Sequence, residues 1–155
     1  LITPEEQVEI VARLGPDPLR RNRGPDLMAR SLARTRRPIG ATLLDQSVVA
    51  GIGNVYRAEL LFLCGIHPLR PSHELTSEEA GDLWERMVDL MRIGRHLGRI
   101  VTTDPSEIGR SRSRMADDDR LYVYHRDHCR RCGSEIKTVT VGGRPCWFCP
   151  THQPR

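Results

Sequence analysis

The 155 residues are 38% hydrophobic and 28% charged. That is enough for one ordinary domain, or for one helical domain carrying a small metal-stapled appendage, and too little for a large enzyme. No apolar run approaches the roughly 20 residues of a membrane span, and Leu1-Ile2-Thr3-Pro4-Glu5-Glu6 has neither the basic stretch nor the apolar core of an export signal. The chain is therefore expected in the cytosol, free of membranes, and Leu1 is not expected to be a natural start. The net charge of +4 is modest but uneven. Between Leu19 and Gly40 stand Arg20, Arg21, Arg23, Arg30, Arg34, Arg36 and Arg37 against Asp26 alone. From Ser72 to Leu90 the balance reverses, with Glu74, Glu78, Glu79, Asp82, Glu85 and Asp89 against Arg86. A GC-rich coding sequence accounts for an arginine excess as well as function does. Clustering is the better sign, and it suggests a nucleic-acid footprint with the acidic face turned away.

Thr3-Pro4-Glu5-Glu6 opens a first helix with a capping box and a proline at its first position, Val8, Val11 and Leu14 form its apolar stripe, and Gly15-Pro16 stops it. A second short helix follows Pro25, with Leu27 and Leu32 on one side. A third is expected over Thr42 to Val49 and a fourth over Val55 to Cys64, closed by Gly65 and joined to the third by Ala50-Gly51-Ile52-Gly53-Asn54. A longer amphipathic helix starts at the capping box Thr76-x-x-Glu79 and turns Leu83, Trp84, Met87, Leu90 and Met91 inward. From Thr102 to Arg120 the composition becomes polar and reads as a mobile linker. Ile136 to Val141 is then a strand, Gly142-Gly143 a two-residue hairpin turn, and Arg144 to Phe148 the returning strand. The expected chain is mainly α, with a helical domain over 1–101, a linker over 102–120 and a metal-bound β-hairpin finger over 121–155.

Of the five cysteines, Cys64 stands alone, whereas Cys129, Cys132, Cys146 and Cys149 are grouped, and in a chain without an export signal grouping favours metal over disulfides. Two ligand-x-x-ligand knuckles around a hairpin can set four ligands in a tetrahedron about zinc. Cys129-Arg130-Arg131-Cys132-Gly133 is the first knuckle. The second is either Cys146-Trp147-Phe148-Cys149 or Cys149-Pro150-Thr151-His152. The latter is preferred, because Trp147 and Phe148 suit a strand and Pro150 suits a turn. The ligand set is then Cys129, Cys132, Cys149 and His152, with Cys146 a small hydrophobe. His128 competes poorly, since it abuts Cys129. Four protein ligands leave no open position, so the zinc is expected to be structural and not catalytic.

The glycines of Ala50-Gly51-Ile52-Gly53-Asn54 let backbone pass close to a ligand, and the N–H groups at the start of the fourth helix favour an anion. Taken alone, the turn also reads as a plain connection with Asn54 as N-cap. Its context favours the first reading. Leu44-Asp45-Gln46, Val49 through Glu59 and Gly65-Ile66-His67-Pro68 resemble the helix-two-turn-helix signature of the Fpg/Nei DNA glycosylases. His125-Arg126-Asp127 before Cys129, Gly143-Arg144-Pro145, and the Cys149-Pro150-Thr151-His152-Gln153 ending are similar to the zinc finger that closes the same family. Leu14-Gly15-Pro16-Asp17-Pro18-Leu19 also has the family's look, which is nearest to its bacterial endonuclease VIII (Nei) branch.

The resemblance implies a helix-two-turn-helix domain followed by a zinc finger, with Gly51, Gly53 and Asn54 on the phosphates around a damaged nucleotide and Arg144 on a phosphate beside it. Arg144 also has a physical case of its own, as a fork-shaped cation at the tip of a hairpin stiffened by zinc. The plain alternative is a solvated turn arginine. The implied activity is base excision repair by a DNA glycosylase and AP lyase, the implied partner the sugar-phosphate backbone of double-stranded DNA near a damaged or abasic site, and the implied state a nucleoid-associated monomer. Two departures stand out. His152 takes the place of a final cysteine, and the terminal proline, its glutamate and the β-sandwich that carries them have no counterpart here. Pro4 is internal and acylated, so no catalytic residue is assigned and the chain alone is expected to be inactive. The rival readings are a non-enzymatic zinc-containing nucleic-acid-binding module and a zinc-stapled protein-interaction domain.

Overall fold

A computed structural model describes residues 1–20 and 24–155. Arg21 and Arg23 of the basic patch lie outside the described residues. Helix α1 (Pro4–Ala12) begins at the expected capping box, in which the Thr3 hydroxyl accepts from the Glu6 N–H and the Glu6 carboxylate accepts from the Thr3 N–H. Its apolar stripe stays exposed, with Val8 and Val11 at 69% and 52%. Helix α2 (Gly24–Ala33) buries Met28 and Leu32, which lie four residues apart on one face. Leu27, expected beside Leu32, is exposed, because a five-residue spacing carries it round the helix.

The third helix is shorter and earlier than the sequence suggests. Helix α3 spans Ile39–Thr42, started by Pro38, whose φ of −54° is already helical. It stops because Asp45 turns its carboxylate back on the chain, accepting from the Ser47 N–H at 2.9 Å and the Ser47 hydroxyl at 2.6 Å. That local turn competes with helix propagation. Residues 43–50 therefore run as consecutive turns that bury Leu43, Val48 and Val49.

Helix α4 (Asn54–Leu63) is surrounded by protein, with Arg57, Ala58, Glu59, Leu60, Leu61 and Phe62 all buried. Helix α5 (Ser77–Leu97) opens on its Thr76–Glu79 capping box and closes at Gly98, which takes φ 72°. It buries Leu83, Trp84, Met87, Leu90 and Met91 as its periodicity requires, each side chain worth roughly 1.5–3 kcal/mol of transfer free energy. The hairpin forms in the expected register. Strands β1 (Lys137–Val141) and β2 (Arg144–Phe148) pair antiparallel, from Lys137 with Phe148 to Val141 with Arg144. Gly142 and Gly143 take φ 63° and 76°, the doubly positive geometry of a tight hairpin turn.

The segment read as a mobile linker is folded. It contains helix α6 (Pro105–Ile108), capped by Asp104, and two 3₁₀ turns. Thr102, Thr103 and Met115 are buried in it. Its charges made it look solvated, yet its backbone is tied to the preceding residues. Arg99 donates to the carbonyls of Arg112 and Met115, and Arg120 to that of Ile100. One apolar core runs from Met28 and Leu32 through α4 and α5 to Tyr122, Val123, Val141 and Cys146, so the hairpin shares the interior of the helices.

Candidate nucleic-acid interface and metal centre

The turn before α4 is braced from below by Gln46, whose Oε1 accepts from the Gly51 N–H at 2.9 Å while its Nε2 donates to the Ile52 carbonyl at 3.3 Å. Gly51 sits at φ 89°, which a side chain rarely tolerates. Gly53 is the N-cap, and no side chain caps the first turn of α4. The reading of Asn54 as N-cap is thereby corrected: it is the first helical residue. A Cβ at Gly53 would meet nothing within 4 Å. Protein packing does not demand glycine there, whereas close approach by an external group would.

Across from this turn stands the hairpin tip. Leu44, Gln46, Gly51, Ile52, Gly53, Gly142 and Arg144 line a cleft of about 520 Å³. Arg144 is exposed and meets no carboxylate among the described residues. Gly51, Gly53 and Arg144 thus share one concavity. Asn54 is turned toward the hairpin, where its Nδ2 donates to the Pro145 carbonyl at 3.0 Å and its Oδ1 accepts from Arg57 at 2.5 Å. Arg57 itself is fully buried, and it also donates to the carbonyls of Gly40, Val141, Arg144 and Pro145.

The ligand atoms of Cys129, Cys132 and His152 lie within 4.8 Å of one another. Cys149 joins them, its sulfur 3.5 Å from that of Cys132. The Nε2 of His152 is buried without a hydrogen-bond partner, the state of an imidazole nitrogen whose natural partner is a cation. Burial pushes the Cys129 thiol up to about 11, while hydrogen bonds with Ser134 hold Cys132 down at about 6. The three soft sulfurs and one imidazole are a donor set that suits zinc. Cys146 lies apart, fully buried on β2 opposite Val139. His128 is exposed and outside the group. The first knuckle is pinned to the core by Arg131, which lies 4.6 Å over the Tyr122 ring and pairs with Glu107 at 2.8 Å.

Compared with known proteins, residues 14–106 match the model of the formamidopyrimidine-DNA glycosylase H2TH domain, which is more than half of the chain. The chain belongs to that family. It is 43% identical over 150 residues to endonuclease 8 1 of Mycobacterium tuberculosis, covering 96% of the chain and 56% of that protein. It is 36% identical over 161 residues to the formamidopyrimidine-DNA glycosylase of Synechococcus, covering 99% and 56%. Among solved structures, Lactococcus lactis Fpg in complex with DNA containing an abasic site superposes with a TM-score of 0.80 at 28% identity, covering 99% of this chain and 57% of that one. Fpg of Thermus thermophilus gives 0.78 at 33% identity, covering 97% and 57%. The H2TH chain thus spans little more than half the length of these relatives. No helix among its described residues is long and apolar enough to cross a membrane.

Sequence reasoning missed four polar residues on which this H2TH site rests. Besides Arg57 and Gln46, Gln153 is fully buried, accepts from the Cys149 N–H at 2.9 Å and donates to the Ile66 carbonyl at 3.0 Å, tying the second knuckle to α4's end. Glu59 is fully buried and accepts from the N–H groups of Tyr122, Val123 and Tyr124 at 2.6, 2.8 and 3.1 Å, and from the Thr102 hydroxyl. Burial pushes its carboxyl upward, and those four donors pull it back. A signal existed for Arg57, since it precedes the core residue Leu61 by one helical turn and so shares its face.

Proposed function

We propose that this chain is the DNA-gripping, carboxy-terminal half of a base-excision-repair DNA glycosylase and AP lyase of the Fpg/Nei type. The observation that carries the reading is the cleft in which a braced glycine turn, an uncapped helix start and the unpaired Arg144 converge. Helix N–H groups and a free guanidinium are phosphate ligands, and they fix position without reading sequence. Gly51 and Gly53 form one wall and Arg144 the other, with Asn54 beside them at the start of α4. Cys129, Cys132, Cys149 and His152 would hold a structural zinc that clamps the finger's base, with no coordination position left over for water. In the whole protein the base is flipped out, an amine attacks C1′ and displaces the base, the sugar ring opens to a Schiff base, and β-elimination breaks the strand. Those steps belong to residues outside this chain. The fold is read as a helical part over 1–101 and a finger over 121–155 joined through 102–120.

Arg144→Ala is expected to weaken binding to a duplex containing an abasic-site analogue by roughly 1.5–3 kcal/mol. It should also flatten the plot of log affinity against log salt by about one counterion while leaving sequence preference unchanged. Binding isotherms at several salt concentrations decide it, and an affinity equal to the parent's removes Arg144 from the interface. The 155-residue chain alone should form no borohydride-trapped adduct with abasic DNA. Its one lysine, Lys137, lies in β1 four residues from the strand's tip end, roughly 13 Å away. A trapped adduct that survives repurification would contradict the assignment of catalysis to residues elsewhere.

A further inference from the structure

Arg57 touches no solvent, yet it makes five hydrogen bonds, to the carbonyls of Gly40, Val141, Arg144 and Pro145 and to Asn54 Oδ1. It joins α4, the start of α3 and both strands of the hairpin. A guanidinium can only donate, so Asn54 must turn its oxygen toward Arg57 and its Nδ2 the other way. The Pro145 carbonyl takes one Nδ2 hydrogen. The second has no partner among the described residues. Arg57 is also an unmatched charge. It pairs with no carboxylate among the described residues, and its Nε is buried without a partner. Burial pulls the guanidinium below its usual range; the neighbouring Cys146 sulfur opposes that, and the charge of Arg144 adds to it. Two like charges therefore stand at one wall of the cleft, one exposed and one behind it.

We propose that Arg57 is the positioning residue of this cleft, locking the Asn54 amide and the hairpin tip in the orientation that receives a phosphate, and that the phosphate supplies the negative charge its burial leaves unmatched. The proposal rests on the cleft being a DNA-phosphate site. Arg57 acts through Asn54 and the hairpin backbone and does not itself touch the anion.

The test compares the zinc-loaded parent with Arg57→Met, Arg57→Lys, Asn54→Ala and the Arg57→Met/Asn54→Ala double variant, using a duplex with a central abasic-site analogue. Zinc content and thermal unfolding are followed alongside. Arg57→Met is expected to weaken binding about tenfold to a hundredfold and to lower the salt slope by about one counterion. Its loss should shrink in the Asn54→Ala background, because both changes act on one amide, whereas independent sites add. Arg57→Lys keeps the charge and some of the donors, so it should keep the slope and recover part of the affinity. A side chain that served packing alone would leave the slope unmoved and the losses additive, and that pair of results overturns the proposal. So does parental affinity in Arg57→Met. If Arg57→Met loses its zinc, Arg57→Lys carries the decision, and an altered slope there is the contrary result. Failure of the parent itself to bind duplex DNA overturns the reading of the cleft instead, with the variants then uninformative about DNA and the Arg57 proposal falling with it.

Discussion

His152→Ala is expected to strip the protein of its metal, while Cys146→Ser leaves it bound. The two changes separate the ligand sets that the sequence left open, three cysteines with a histidine against four cysteines. His152 sits within 4.8 Å of Cys129 and Cys132 and has a buried, unpartnered ring nitrogen. Cys146 lies on the inner face of β2 against Val139. Zinc held by such a finger contributes on the order of 10–16 kcal/mol of apparent binding free energy in isolated peptides. Losing one of four ligands should therefore loosen both knuckles and release the hairpin tip, so DNA affinity should fall by more than Arg144→Ala alone costs. Metal content after gel filtration is the measurement. Zinc lost from Cys146→Ser and retained by His152→Ala would establish a four-cysteine site and displace His152 from it.

Glu59→Leu is expected to be the most damaging change away from the metal. The carboxylate collects three consecutive backbone N–H groups and a hydroxyl in the interior, where water does not replace it. Leucine fills the space but accepts nothing, so three buried donors are left unpaired. At roughly 1–3 kcal/mol for each buried donor left unpaired, the expected cost is about 3–5 kcal/mol, a fall in Tm of roughly 6–20 °C for a chain of this size. Glu59→Gln should be milder, since its carbonyl oxygen still accepts while its NH2 opposes one of the donors. Thermal unfolding of the zinc-loaded proteins checks both, and a Glu59→Leu melting point within a degree or two of the parent's would show that the segment 122–124 finds other acceptors.

The parts legible in the sequence were those in which local chemistry and tertiary packing agree. Helix α5 announces itself by a capping box and an apolar period that the core then uses unchanged, and Gly142-Gly143 can only be the turn of a tight hairpin. Helix α3 misled because Leu43, Val48 and Val49 are apolar and buried, although Asp45 folds the segment into turns and not a helix. The segment 102–120 misled because its backbone carbonyls accept from Arg99 and its Arg120 donates to the Ile100 carbonyl, ties that composition does not record. At the cleft, the glycines and Arg144 could be named from their motif. The polar braces behind them were hidden, since Arg57 and Glu59 look like ordinary surface charges on a helix, and only the one-turn spacing of Arg57 to Leu61 pointed inward.

That the hairpin and the helices share one interior has a consequence for how the protein comes apart. The two tryptophans divide between the parts, Trp84 in α5 and Trp147 in β2. With Tyr122, Val141 and Cys146 packed into the cluster that Leu60 and Leu83 occupy, neither part has a boundary along which it could detach. The two fluorophores then report a single cooperative unit, and a disturbance at the Cys129, Cys132 and His152 cluster is felt at Trp84 as well as at Trp147.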